Sequence, residues 1–295
     1  MKKFQKTVPL LFLFVTVAIS ILFVQLESKA AEQNNSRIIS LGPINTENIY
    51  LLGAGNRLVG NTSYCSRPEA ARHVEKIGSV MQLSIEKIIS LHPDLILATA
   101  LTQPQQLAKL KSLGLNVVQF KQPASFAEIC SQFLRLGKLL GLEEDAREIV
   151  NKAKGDVGKI QKEIAPLKPQ KVFLQVGANP LFGSVRSSFT NDFITMAGGE
   201  NIIADQESGA TNREKVIARN PDVIIIAIMG SETGIAAQQK KKWQHVTVTK
   251  ATQNNRIHVI NPNLVCSPSP MTFAHTLQII AGFIHPEIPW QKVLQ

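Results

Sequence analysis

The sequence predicts an α/β protein: two doubly wound parallel-sheet lobes joined by a long rigid α-helix, with a cleft between the lobes. Three observations carry this reading. Short β-branched runs alternate with helical patterns in both halves of the 295-residue chain. Such alternation argues for parallel sheets covered by helices on both faces. Residues 125–165 break the alternation with apolar residues every three or four positions and no strand. On either side of that break the chain repeats itself: residues 85–97 (IEKIISLHPDLIL) align with residues 213–225 (REKVIARNPDVII), an offset of 128 residues.

The elements follow in order. Arg37 to Leu41 is a strand candidate, and Asn48 to Gly53 closes a short helix. Arg57 to Gly60 is a second strand. Ser84 to Leu91 is a helix with Ile85, Ile88 and Ile89 on one face, stopped by His92 and Pro93. Asp94 to Ala98 is a buried strand. Pro104 to Leu113 is a helix, with proline tolerated in the first turn and Gly114 as its cap. Asn116 to Phe120 is the next strand. Ala146, Ile149, Val150, Ala153, Val157, Ile160 and Ile164 share one helical face; a helix of about 24 residues would be about 36 Å long. That length suits a spacer between lobes. After Pro166, strands are expected at Lys171 to Gln175, Asp222 to Ile228 and Arg256 to Ile260. Helices are expected at Asn191 to Ala197, Arg213 to Arg219 and Met271 to Ile284. The stretch from Asn263 to Pro270 reads as a rigid loop after the last strand.

The domain reading is residues 1–30 as a leader, 31–123 as the N-terminal lobe, 124–166 as the helical linker and 167–295 as the C-terminal lobe. Lys2, Lys3 and Lys6 precede an apolar run from Val8 to Val24, and Ser28 and Ala30 stand at the −3 and −1 positions of a cut. This is the pattern of a cleaved secretory signal peptide, with an uncleaved anchor as the alternative. The first cysteine is Cys65, far from the cut, which argues against a lipid anchor.

Composition narrows the function. Hydrophobic residues make 44% and charged residues 18%, a globular balance. The formal charge is +10, and +7 without residues 1–30 (28 Lys and Arg against 21 Asp and Glu). The positives are scattered, and the one dense run, Lys240 to Lys242, reads as a solvated helix face, so no nucleic-acid track is expected. Cys65, Cys130 and Cys266 form no C-x-x-C pair, and no two of the six histidines have i, i+4 ligand spacing. No metal site and no resident cofactor are expected. Nucleophile-elbow, H-E-x-x-H, Walker and G-x-G-x-x-G motifs are missing, so no enzyme is expected. Gly53 and Gly55, and Gly198 and Gly199, follow helices and read as caps.

Residues 40–47 (SLGPINTE), 59–68 (VGNTSYCSRP), Gly78, the 85–97 segment, 171–182 (KVFLQVGANPLF) and 197–201 (AGGEN) together resemble a known family. It is the helical-backbone (class III) periplasmic substrate-binding proteins of ABC importers, which serve vitamin B12, ferric siderophores and haem. The likeness covers roughly residues 37–284 and is strongest to the vitamin B12 branch. It implies capture of a corrinoid metal chelate in the cleft and delivery to a permease dimer through both lobes. The same role for a ferric siderophore or haem is the alternative, and a secreted α/β enzyme the further one. The resemblance also implies a monomer working in the periplasm.

Matching positions imply ligand contacts at Pro43, Tyr64, Met81, Phe182, Arg186 and Asn263. They imply permease docking at Glu86 and Glu214, which stand at equivalent places in the repeat. Where the vitamin B12 branch carries cleft tryptophans, this chain has Val80 or Met81, Thr99 and a residue near Ala210. Trp243 and Trp290 are not expected to face the cleft.

Overall fold

The structure is a computed structural model that describes residues 36–229 and 234–294; the leader reading of residues 1–30 lies outside them. Among the described residues no helix is long and apolar enough to cross a membrane.

Two sheets organise the chain. The first has the order β2 (Leu58–Asn61), β1 (Ile38–Ser40), β3 (Leu95–Ala98), β4 (Val117–Gln119), all parallel. The second runs β6 (Phe182–Gly183), β5 (Gln170–Gly177), β8 (Val223–Ile226), β9 (Ile257–Val259), with β7 (Gly199–Asn201) also paired to β5. Apart from β6, which is antiparallel, this sheet is parallel too, and β7-β5-β8-β9 repeats the order of β2-β1-β3-β4. The repeat holds atom by atom. Asp94 Oδ2 accepts the Arg37 N–H at 2.9 Å, and Asp222 Oδ2 accepts the Lys171 N–H at 2.8 Å. His92 and Asn220, each just before a proline, both take left-handed backbone (φ 45° and 47°). Ser84 and Asn212 cap the two equivalent helices through their side chains.

The helices are α1 (Pro43–Leu51), α2 (Ile85–Ser90), α3 (Pro104–Ser112), α4 (Phe126–Leu140), α5 (Glu143–Ile164), α6 (Phe189–Thr195), α7 (Arg213–Ala218), α8 (Ile235–Gln244), α9 (Lys250–Gln253), α10 (Pro262–Cys266) and α11 (Pro270–Ile284). Two differ from expectation, and a third is read only at its close. Helix α1 ends at Leu51 as expected and begins at Pro43. Its buried side is polar, so apolar periodicity does not reveal it: Asn45 Nδ2 donates to the Leu97 and Ala98 carbonyls at 3.3 and 3.2 Å, and Thr46 to Ser40 at 2.8 Å. Helix α2 buries Ile88, but Ile89 is 42% exposed, because six residues are too few to present a third apolar position to one neighbour. The expected loop after Asn263 holds the short helix α10, started by Pro262 and capped by Asn261.

Strand alternation shows why both sheet faces are covered. Ile38, Leu95 and Leu97 face one core, and Ile39, Ile96 and Ala98 face another. In the second sheet Val172, Leu174, Val223 and Ile225 join the same first core, while Phe173, Ile224 and Ile226 face a third. The first core is therefore common to both sheets and to the helices between them. Helix α5 contributes Ala146, Val150, Ala153, Val157 and Ile160 to it, and packs on α4 and α11. The linking helix buries one face in this core and is not a bare rod. Phe273 of α11 is sandwiched between Phe126 of α4 (centroids 4.5 Å) and Phe193 of α6 (4.2 Å). The Phe126 N–H donates to Asp192 Oδ2 at 2.7 Å, tying α4 to α6, and burial pushes the Asp192 carboxyl up.

His258 on β9 stacks flat on Phe283 at 4.3 Å. Burial, then Lys240 and Arg256, push its imidazole from 6.5 down to about 4. The folded state thus refuses a proton that the unfolded chain accepts. Its contribution to stability is complete above pH 6.5 and lost as pH falls from about 6.5 to 4. In chemical denaturation, His258→Phe is expected to flatten the pH dependence in that window. An unchanged slope rejects the assignment.

Candidate functional site

The carboxyl ends of the strands in both sheets open onto one cleft, as expected for ligand sites in open α/β sheets. Its wider part, about 770 Å³, lies between Pro43, Ser63, Tyr64 and Ser66 of the first lobe and Met229, Val259 to Asn263 and Ser267 of the second. Pro43 and Ser267 continue into a narrower part of about 100 Å³. Here Thr99, Leu101 and Lys121 face Phe189, Cys266 and Pro268. Among the described lining residues Lys121 is the one charged side chain. The rest supply serine hydroxyls, the Tyr64 phenol, amides and apolar surface.

Large apolar side chains stand exposed around this opening: Tyr64 (62%), Leu101 (69%) and Met229 (53%). Such groups in loops of a folded chain mark contact surfaces. Each follows a strand by three residues, after β2, β3 and β8 respectively. Leu101, Met229 and Lys121 are not singled out by the sequence reading. The strand-end rule applied to β3, β4 and β8 would have found them.

Of the expected contacts, Pro43, Tyr64 and Asn263 come together in the wide pocket. Met81 is exposed in the loop before α2, next to Val80 of the narrow pocket. Phe182 is 39% exposed and pairs with Gly177 at the carboxyl end of β5. Arg186 is placed elsewhere. Strand β6 runs antiparallel to β5, so the chain from Phe182 onward travels back from the strand end. Arg186 then lines a separate pocket with Asp205 and Arg219, where the hydrogen bond from Arg219 holds the Asp205 carboxyl below its usual range.

Cys65, Cys130 and Cys266 are free thiols. Burial pushes Cys266 up to about 11, which keeps its sulfur protonated at neutral pH. Trp243 is buried and donates to Gln175 Oε1 at 2.8 Å; Trp290 donates to the His285 carbonyl at 2.8 Å. Neither lines the cleft pockets.

Glu86 and Glu214 occupy the first turn of α2 and α7 beside the capping Ser84 and Asn212. Both are exposed, and among the described residues neither makes an ion pair. Their helices are braced. Lys87 pairs with Glu75 at 2.6 Å. Arg213 donates to Gln239 Oε1 at 2.7 Å and lies over the Trp243 ring at 5.4 Å.

Comparison with known proteins places this architecture. The family model described as periplasmic binding protein matches residues 38–264. An uncharacterized ABC transporter substrate-binding lipoprotein, YvrC of Bacillus subtilis, is 29% identical over 259 residues, covering 85% of this chain and 80% of its own. A vitamin B12-binding protein of Yersinia pseudotuberculosis is 33% identical over 214 residues, covering 72% of this chain and 75% of its own. Among solved structures, a Staphylococcus epidermidis protein described as a possible iron-binding (periplasmic solute-binding) protein superposes with a TM-score of 0.75 at 30% identity. That match covers 85% of this chain and 99% of the other.

Proposed function

The chain belongs to the periplasmic binding protein family, and from that premise we propose that it captures a corrinoid and delivers it to the permease of an ABC importer. The observation that carries the ligand class is the charge of the cleft. A lining of hydroxyls, amides, thioether and aliphatic surface, with Lys121 the one described charge, suits a large neutral ring rimmed by amides. A polyanionic ferric chelate or the paired carboxylates of haem would enter such a cleft at a desolvation cost with one cation to offset it. The relatives named for vitamin B12 support the same reading, and the iron-binding description of the S. epidermidis protein defines the competitor.

In this reading Pro43, Tyr64 and Asn263 touch the ligand, with Met81 and Phe182 at the rim. Glu86 and Glu214 meet cations of the permease, one from each lobe. The protein works as a monomer, and residues 1–30 export it and are then removed.

The deciding experiment is calorimetric titration of the unloaded protein with cyanocobalamin, haemin and a ferric tris-catecholate, with absorption spectra of each product. Stoichiometric, chemically unaltered cyanocobalamin bound at least ~100-fold more tightly than the others is expected; tighter haemin or tris-catecholate binding rejects the corrinoid assignment. Turnover of any of them would remove the transport role. Tyr64→Ala is expected to weaken cyanocobalamin binding by about 1–3 kcal/mol, the scale of a lost aromatic contact with its hydrogen bond. Unchanged affinity removes Tyr64 from the site.

A further inference from the structure

One polar chain crosses between the lobes beside the cleft. Glu47 on α1 of the first lobe keeps its side chain 15% exposed, and its two oxygens go separate ways. Oε1 accepts the Thr272 hydroxyl of α11 at 2.6 Å. Oε2 forms an ion pair with Arg67 Nη2 at 2.9 Å without a hydrogen bond, and that guanidinium nitrogen donates to the Asn263 carbonyl of α10 at 3.0 Å. Thr272 in turn accepts from Ser269 Oγ, the cap of α11, at 2.9 Å. Ser269 donates to Thr272 and Thr272 to Glu47, while Arg67 donates to the Asn263 carbonyl and holds Glu47 by charge alone.

The contacts bracket a short stretch. Asn263 and Thr272 flank the turn that carries Cys266, Ser267 and Pro268 into the cleft. On the first lobe, Arg67 directly follows the Ser63 to Ser66 wall of the wider pocket. A carboxylate and a guanidinium of one lobe thus hold both ends of the ligand-facing turn of the other. The pair is partly desolvated, so its geometry is enforced: breaking one partner leaves a charge with poor access to water.

We propose that Glu47, Arg67 and Thr272 form an interlobe clasp that sets the width of the cleft before any ligand arrives. They are positioning residues, which act through α10 and the start of α11 and touch no ligand. A protein held in its binding-competent width loses no affinity to wider states; releasing the clasp dilutes the competent fraction. This inference goes beyond the transport role and does not depend on which ligand is bound.

The test measures lobe separation in the unloaded protein. Spin labels at Leu113→Cys and Val248→Cys, both exposed and on different lobes, are placed in a Cys266→Ser background and read by pulsed electron resonance. The unmodified clasp is expected to give one narrow distance distribution. Glu47→Gln, Arg67→Met and Thr272→Val are each expected to broaden it toward longer distances, with Thr272→Val the mildest. Should Arg67→Met not fold, Thr272→Val still reads the same crossing by removing one hydroxyl. Distributions that stay narrow in the folded variants overturn the clasp. A second arm uses cyanocobalamin: clasp release that leaves about one molecule in ten competent weakens apparent affinity about tenfold. Broadened distances in a protein that binds no cyanocobalamin would uphold the clasp and reject the corrinoid reading separately.

Discussion

Phe273→Ala is expected to destabilise the protein by about 3–5 kcal/mol, the cost of emptying a fully buried aromatic site. Phe273 has no exposed surface and stacks between Phe126 and Phe193, so its ring joins the linker helix α4, the C-terminal helix α11 and the second-lobe helix α6. No neighbour can collapse into the gap without unstacking a second ring. The melting temperature in calorimetry should fall by on the order of 10 °C. Phe273→Leu, which keeps much of the volume, should cost less than half as much. A loss under about 1 kcal/mol for the alanine variant would show that the two halves are held together elsewhere in the common core.

Glu86→Ala and Glu214→Ala combined are expected to abolish uptake while leaving ligand affinity unchanged. Each carboxylate is exposed, has no ion pair among the described residues and sits in the first turn of a braced helix, so its contribution to the chain's own stability is small, about 0.3–1 kcal/mol from the helix dipole. Their value is in their relation. The internal repeat puts one on each lobe at the same structural position, and in the proposed transport role this pairing addresses both halves of a two-fold permease. Truncating one side of a desolvated charge pair at an interface costs 2–5 kcal/mol or more, so the double variant should lose over ~100-fold in docking affinity. Each single variant should retain part of it. Uptake at the native rate by the double variant would reduce both residues to helix-terminus charges. Binding of the loaded protein to permease in nanodiscs separates docking from capture.

The strands and the duplication were legible because they rest on local chemistry. Residues 95–98 and 223–226 are unbroken apolar runs, which only a strand covered on both faces can bury. The Asn/His-Pro-Asp signature after α2 and α7 is the same backbone turn written twice. Helix α1 was half read, since its packing uses Asn45 and Thr46 and not an apolar stripe. Tyr64 and Asn263 line the candidate pocket because each follows the end of a strand. Arg186 does not, because a two-residue antiparallel strand turns the chain away from the cleft, and nothing in its composition announces that reversal. The clasp was out of reach altogether: Glu47 and Thr272 are 225 positions apart and meet only after both lobes have formed.

By itself the amino-acid order settled the two-lobed α/β plan, the long connecting helix and the strand ends where a ligand could sit, since periodicity, turn residues and repetition are written within a few positions of one another. Folding in three dimensions decided the rest: that one core is common to both sheets, that Lys121 is the one charge among the described cleft-lining residues, and that a carboxylate on one lobe holds the turn of the other. Those properties belong to distances between residues far apart in the chain, which burial and hydrogen-bond satisfaction select and no local pattern encodes.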